Sequence, residues 1–169
     1  MNKIKRRVLV LGESAVGKSS MIEFYCTGNT QPNYKMTKGC DVTPKLIELG
    51  DKDVEFYFMD MSGKDIYRSI VAKMCKDPHM IVLAYDSTDA ESFRALDSWL
   101  DLVKKTNGNK EFSGIIVSTK NDLTSLRQVD SNEGAEKARR MRMGFFEVTC
   151  SNYESIDKAF NYLVEKTLE

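Results

Sequence analysis

The stretch that most constrains this chain is Gly12-Glu13-Ser14-Ala15-Val16-Gly17-Lys18-Ser19. It follows an apolar run, Val8 to Leu11, and precedes an amphipathic segment, Met21 to Tyr25. Strand, glycine loop and helix together turn G-x-x-x-x-G-K-[ST] into a phosphate-binding loop. Glycines at 12 and 17 allow a tight backbone turn, so the loop N–H groups can converge on phosphate oxygens. The helix that follows adds its positive N-terminal end. Glu13, Ser14, Ala15, Val16, Gly17, Lys18, Ser19 and Ser20 are therefore candidate nucleotide-binding residues. Lys18 would reach the terminal phosphates and the Ser19 hydroxyl would ligate Mg²⁺.

The rest of the chain alternates between strand and helix signals. Wholly apolar runs at 8–11, 80–85 and 115–117 read as parallel strands buried on both faces. Runs at 42–49 and 54–59 flank Gly50-Asp51-Lys52-Asp53, which reads as a hairpin turn. Pro44 removes a ladder donor from the first of these, which marks an edge strand. Helices are expected after the loop to about Cys26, over 66–76, after Asp89, over 131–141 and at the C-terminus. Phe93, Leu96, Trp99, Leu100 and Val103 recur at helical spacing, as do Ile156, Ala159, Phe160, Leu163 and Val164. The expectation is an α/β fold over residues 1–169: a six-stranded, mostly parallel sheet with one antiparallel edge strand and helices on both faces.

Lysine and arginine number 25 and so do the acids, which gives zero formal charge and no basic footprint for nucleic acid. Cys26, Cys40, Cys75 and Cys150 include no C-x-x-C pair and read as free thiols of a reducing, cytoplasmic compartment. Neither a secretory leader, nor a lipidation signal, nor a run of membrane-spanning length is read from the sequence. His79 reads as structural, Trp99 as core, and Arg139, Arg140 and Arg142 as a solvated face. The methionines read mostly as filler, with Met61 and Met74 able to form an adaptable partner surface.

In an open α/β sheet the ligand sits at the carboxyl ends of the strands. Asp60 ends the 54–59 run and is placed to hold Mg²⁺, and Gly63 can offer its N–H to a γ-phosphate. Thr119-Lys120-Asn121-Asp122 follows the 115–117 strand. The Asp122 carboxylate can accept from the N1–H and N2 amino group of guanine, a donor pair adenine lacks, while the Lys120 stem lies along the base. Thr149-Cys150-Ser151 follows the last strand and can present an N–H to the guanine O6.

These four motifs, in this order and spacing, resemble those of the Ras superfamily of small GTPases over nearly the whole chain. Tyr34 to Val42 looks like a Rab switch I. Met36-Thr37-Lys38-Gly39, Ser62-Gly63-Lys64-Asp65-Ile66-Tyr67 and Tyr85 to Phe93 look most like the Rab-like GTPases of the intraflagellar transport B complex. The resemblance implies a P-loop NTPase G-domain that binds GTP and GDP with Mg²⁺. Ser19, Thr37 and Asp60 would serve the metal, Tyr34 would touch the nucleotide, and Lys18, Thr37, Gly63 and Lys64 would serve hydrolysis. It implies effectors or complex subunits docking on switch I (Thr30–Cys40) and switch II (Asp60–Cys75), a small β-sandwich partner, and a place in the cilium.

Four positions depart from the family pattern. Lys64 stands where Gln is usual; it is donor-only and cannot accept a proton from an attacking water, so slow hydrolysis is expected. Thr30 stands near the usual aromatic, Thr119 replaces Asn and Ser151 replaces Lys. Each is expected to lose a contact to the base or its loop, which weakens nucleotide affinity. Three readings follow: a guanine-nucleotide switch, a constitutive assembly subunit in which the nucleotide is structural, and a P-loop kinase. Asp122 disfavours the last.

Overall fold

The computed structural model describes residues 2–29, 35–50 and 52–169. The expectations for Thr30, Tyr34, the intervening part of switch I and Asp51 lie outside them. The elements run β1 (Asn2–Leu11), α1 (Lys18–Thr27), β2 (Cys40–Leu49), β3 (Lys52–Met61), α2 (Arg68–Met74), β4 (Met80–Asp86), α3 (Ala90–Arg94), α4 (Leu96–Thr106), β5 (Gly114–Thr119), α5 (Ser131–Met141), β6 (Gly144–Glu147) and α6 (Tyr153–Leu168).

The strands form one six-stranded sheet in the order β2-β3-β1-β4-β5-β6. Among the described strands only the β2–β3 pairing is antiparallel, and β2 lies at the edge with Pro44 opposite Tyr57. The sheet order reverses at β1, between β3 and β4, which opens a crevice at the carboxyl end of β1. The loop Gly12–Ser19 begins at that point.

Both faces are covered. On one, α1 and α6 pack Met21, Ile22, Tyr25, Phe160 and Leu163 against Val8, Val10, Phe56 and Phe58. On the other, α2, α4 and α5 bring Val71, Leu96, Trp99 and Ala138 onto Leu9, Leu11, Ile81 and Ile116. Burying side chains of this size stabilises by roughly 1.5–3 kcal/mol each relative to exposure. Trp99 is core, as its spacing predicts. Met61 is also fully buried, which removes it from any partner surface; Met74 stays exposed. Met61 pairs with Cys40 of β2 and its side chain enters the core under α2.

Element boundaries shift where local chemistry competes with periodicity. β1 starts at Asn2, well before the apolar run, because its polar half pairs with β3 from Asn2↔Lys52 onward. Lys52 and Asp53 belong to β3 rather than to the hairpin turn. The helix expected over 66–76 opens as a 3₁₀ turn, Asp65–Tyr67, and becomes α-helical only from Arg68 to Met74. The helix after Asp89 is two pieces that meet at Ala95, the first capped by the Asp89 carboxylate accepting from the Glu91 and Ser92 N–H groups. The 131–141 helix has the expected bounds, started by a capping box between Asp130 and Glu133.

Candidate functional site

A cleft of about 750 Å³ opens at the crevice, lined at one end by Ser14, Lys18, Ser19, Thr37 and Gly63 and at the other by Thr119, Asp122 and Cys150. The loop geometry explains its glycines. A Cβ on Gly12 would lie 2.2 Å from the Ala84 carbonyl oxygen, so only glycine lets the loop leave β1 against β4. Gly17 has φ +102° and starts α1. Ala15, between them, also takes the left-handed region at φ 63°.

Lys18 is 6% exposed and its Nζ donates to the carbonyl oxygens of Gly12 (2.9 Å) and Glu13 (2.7 Å). Burial lowers its pKa to about 8, against the pull of Asp60 and Glu13. The lysine is thus held curled over its own loop, and an anion in the cleft would raise its pKa again. Ser20 also lines the cleft, whereas Val16 is buried. The Glu13 side chain turns away from the cleft: its Oε1 accepts from Trp99 Nε1 at 2.8 Å. Glu13 therefore offers the site its backbone only.

Ser19, Thr37 and Asp60 come together as expected. The Ser19 and Thr37 hydroxyls both donate to Asp60 Oδ2, the second at 3.1 Å, and lie 3.1 Å from each other. Asp60 Oδ1 is buried with no hydrogen-bond partner. Burial raises the Asp60 pKa, opposed by Ser19, Lys18 and Thr37. A buried carboxylate oxygen without a donor, beside two hydroxyls, fits a hard divalent cation that prefers oxygen. Among the described residues no group of three or more His, Cys, Asp or Glu side chains could hold a metal. The fitting ion is therefore one such as Mg²⁺, which takes its remaining ligands from water and substrate phosphates.

Gly63 faces the loop directly. A Cβ there would lie 2.2 Å from the Ser14 nitrogen and 2.6 Å from the Gly12 carbonyl oxygen. The Ser62 N–H donates to the Gly39 carbonyl at 2.8 Å, which ties the segment entering β2 to the end of β3. Lys64 is exposed beside this contact.

At the other end of the cleft the substituted residues are bonded rather than idle. The Thr119 hydroxyl sits 2.5 Å from the Val16 carbonyl oxygen and 3.0 Å from that of Tyr85. It still joins β5 to the phosphate loop, so the expected loss of loop support at this position does not occur. The Thr149 hydroxyl donates to Asp122 Oδ1 at 2.8 Å. Its single proton is then used, so the Ser151 hydroxyl, 2.9 Å away, donates to Thr149. Ser151 and Thr149 thus form a hydroxyl chain that ends on the Asp122 carboxylate. Burial raises the Cys150 pKa, with Asp122 adding to it.

Sequence reasoning missed Asp86. It ends the buried strand β4, as Asp60 ends β3, and its carboxylate pairs with Lys120 Nζ at 2.5 Å. Burial pushes the Asp86 carboxyl up, but Lys120 and Thr88 outweigh it and hold its pKa below the usual value. The pair fixes Lys120, which has φ 57°, at the edge of the cleft. The strand-end rule that found Asp60 would have found Asp86 too. His79 holds the structural place expected of it: Nδ1 accepts from the Arg7 N–H at 3.0 Å.

A sequence profile of the Ras family matches residues 7–169. The intraflagellar transport protein 27 homolog of Mus musculus is 28% identical over 98% of this chain and 91% of its own length. The DnaJ homolog subfamily C member 27 of Danio rerio is 31% identical over 93% of this chain but only 59% of its own. The Ras-related protein Rab-2B of Dictyostelium discoideum is 28% identical over 96% of this chain and 80% of its own. With that profile spanning all but the first six residues, and with the fold and cleft described above, the chain belongs to the Ras family of small GTPases.

Proposed function

We propose that this chain is a Rab-like guanine-nucleotide switch that hydrolyses GTP slowly and serves the intraflagellar transport machinery. The observation that carries the reading is the cleft itself. One end gathers Lys18, Ser19, Thr37, Asp60 and Gly63, and the other presents Asp122, held by Thr149.

Lys18 would exchange its two loop carbonyls for phosphate oxygens, and Gly63 would donate its N–H to the γ-phosphate. Ser19, Thr37 and Asp60 would hold Mg²⁺, which when bound would neutralise phosphate charge. Asp122 would accept from N1–H and N2 of guanine. Because Ser62 is bonded to Gly39, a γ-phosphate contact at Gly63 would order both switch segments at once. Lys64 cannot take a proton from the attacking water, which supports slow turnover.

The likeness to intraflagellar transport protein 27 homologs supports a ciliary or flagellar place and a complex subunit, such as a small β-sandwich protein, as partner. Switch I and switch II would carry the partner contacts, and exposed Ile66, Ile70 and Met74 supply apolar area at switch II. A second reading, an assembly subunit with structural nucleotide, is favoured by the same Lys64.

Single-turnover hydrolysis of GTP by purified protein, with and without Mg²⁺, tests the proposal. Slow, Mg²⁺-dependent cleavage and tighter partner binding in the GTP form support the switch. Partner affinity equal for GTP and GDP forms would support the assembly reading instead.

A further inference from the structure

We infer that Arg127 is a positioning residue for base recognition, acting through Asn121 on the two loops that frame the base end of the cleft. The inference rests on the reading of Asp122 above.

Asn121 lies between Lys120 and Asp122, yet its side chain points away from the cleft and into the ends of the neighbouring strands. Its amide nitrogen donates to the Ser118 carbonyl (2.6 Å) at the end of β5 and to the Val148 carbonyl (3.0 Å) just after β6. Its amide oxygen accepts from the Ser118 hydroxyl (3.2 Å) and from Arg127 Nη2 (2.6 Å). All the bonding capacity of one amide is therefore spent on fixing the Asp122 loop to the segment that leads into Thr149-Cys150-Ser151.

Arg127 holds that amide in place. Its other terminal nitrogen, Nη1, donates to Glu147 Oε1 (2.9 Å), to the Ser131 hydroxyl (3.2 Å) and to the Val129 carbonyl (3.3 Å). The planar guanidinium thus bridges β6, the start of α5 and Asn121 at fixed angles, a geometry that a lysine cannot reproduce. Arg127 lines no part of the cleft. Its effect on a base would pass through the spacing between Asp122 and Thr149, which are joined by their own 2.8 Å bond.

The test compares GDP with IDP, whose base lacks the N2 amino group and leaves Asp122 one donor short. Wild-type protein should bind GDP about tenfold more tightly than IDP, the worth of one hydrogen bond to a charged group. In Arg127→Ala, and separately in Asn121→Ala, that ratio should fall toward one. Arg127→Lys should keep only part of it. In an Asp122→Ala background, Arg127→Ala should have no further effect on the ratio. Equal weakening of GDP and IDP with the ratio intact would overturn the inference, since a merely structural role gives that pattern. Should Arg127→Ala not fold, Arg127→Lys with an undiminished ratio overturns it equally. Wild-type protein that fails to separate GDP from both IDP and ADP would sink the Asp122 reading, and this inference with it.

Discussion

The two ends of the cleft are built from different materials. The phosphate end rests on backbone and one buried cation beside the Ser19–Thr37–Asp60 cluster: Gly12 and Gly63 leave no room for a Cβ, and Lys18 is bonded to two carbonyls of its own loop. The base end is made of side chains bonded to side chains. Thr149 and Ser151 lead to Asp122, Lys120 leads to Asp86, and Asn121 leads to Arg127. Backbone sites tolerate little change in sequence, because the requirement is conformational. Side-chain networks tolerate substitution when the replacement finds another partner, as Thr119 does with the Val16 carbonyl. The departures from the family pattern at Thr119 and Ser151 fall within that network, whereas the loop Gly12 to Ser19 keeps the pattern and Lys64 departs from it beside Gly63.

The sharpest way to break that contrast is Lys18→Met. It removes a cation that burial already disfavours, so the nucleotide-free protein should keep its thermal midpoint, while GDP affinity falls about 100-fold through lost charged hydrogen bonds. A comparable loss of stability without nucleotide would mean that Lys18 is structural.

A smaller effect is expected from pH. Lys18, bonded to its own loop, has a pKa near 8, below its unfolded value of 10.5, and contact with phosphate requires the charged form. Below pH 8 the affinity should be flat in this respect. Above it, binding must take up a proton, so affinity should fall toward about tenfold per pH unit. The sign for stability is opposite. Between about 8 and 10.5 the unfolded chain binds more protons at this residue, so its contribution to the nucleotide-free fold rises with pH. Titrations of GDP from pH 7 to 9.5 check the first, and the same series on Lys18→Arg should lose the slope.

The smallest effect concerns Lys64→Gln. Restoring a group that both donates and accepts should raise single-turnover hydrolysis by about tenfold, less than the roughly 100-fold of a true general acid or base because an amide only orients the water, with nucleotide affinity unchanged. An unchanged rate would mean that Lys64 is a solvated switch residue with no bearing on the water.

The sequence made the phosphate end legible because its chemistry needs fixed residue types at fixed spacing. Gly12, Gly17, Lys18, Ser19, Asp60 and Gly63 all sit where that spacing put them. The edge position of β2 was legible from Pro44 for the same reason. The base end was legible only in part. Asp122 stands after the correct strand, but nothing local to Arg127 marks it as the anchor of Asn121, six residues back in a polar loop. The orientation of Glu13 toward Trp99 was equally hidden, since the two are 86 residues apart in sequence. Contacts of that kind depend on where helices come to rest on the sheet, which periodicity does not specify.

The measurement that bears most directly on the account is titration of nucleotide-free protein with fluorescent GDP, GTP and ATP in the presence of Mg²⁺. Saturable binding of the guanine nucleotides, with ATP at least about 100-fold weaker, is the expected result, because adenine leaves the Asp122 carboxylate without its two donors. Equal binding of ATP and GTP would contradict it. The phosphate end would then stand as a working nucleotide site, and the base end would be a folded network with no part in recognition.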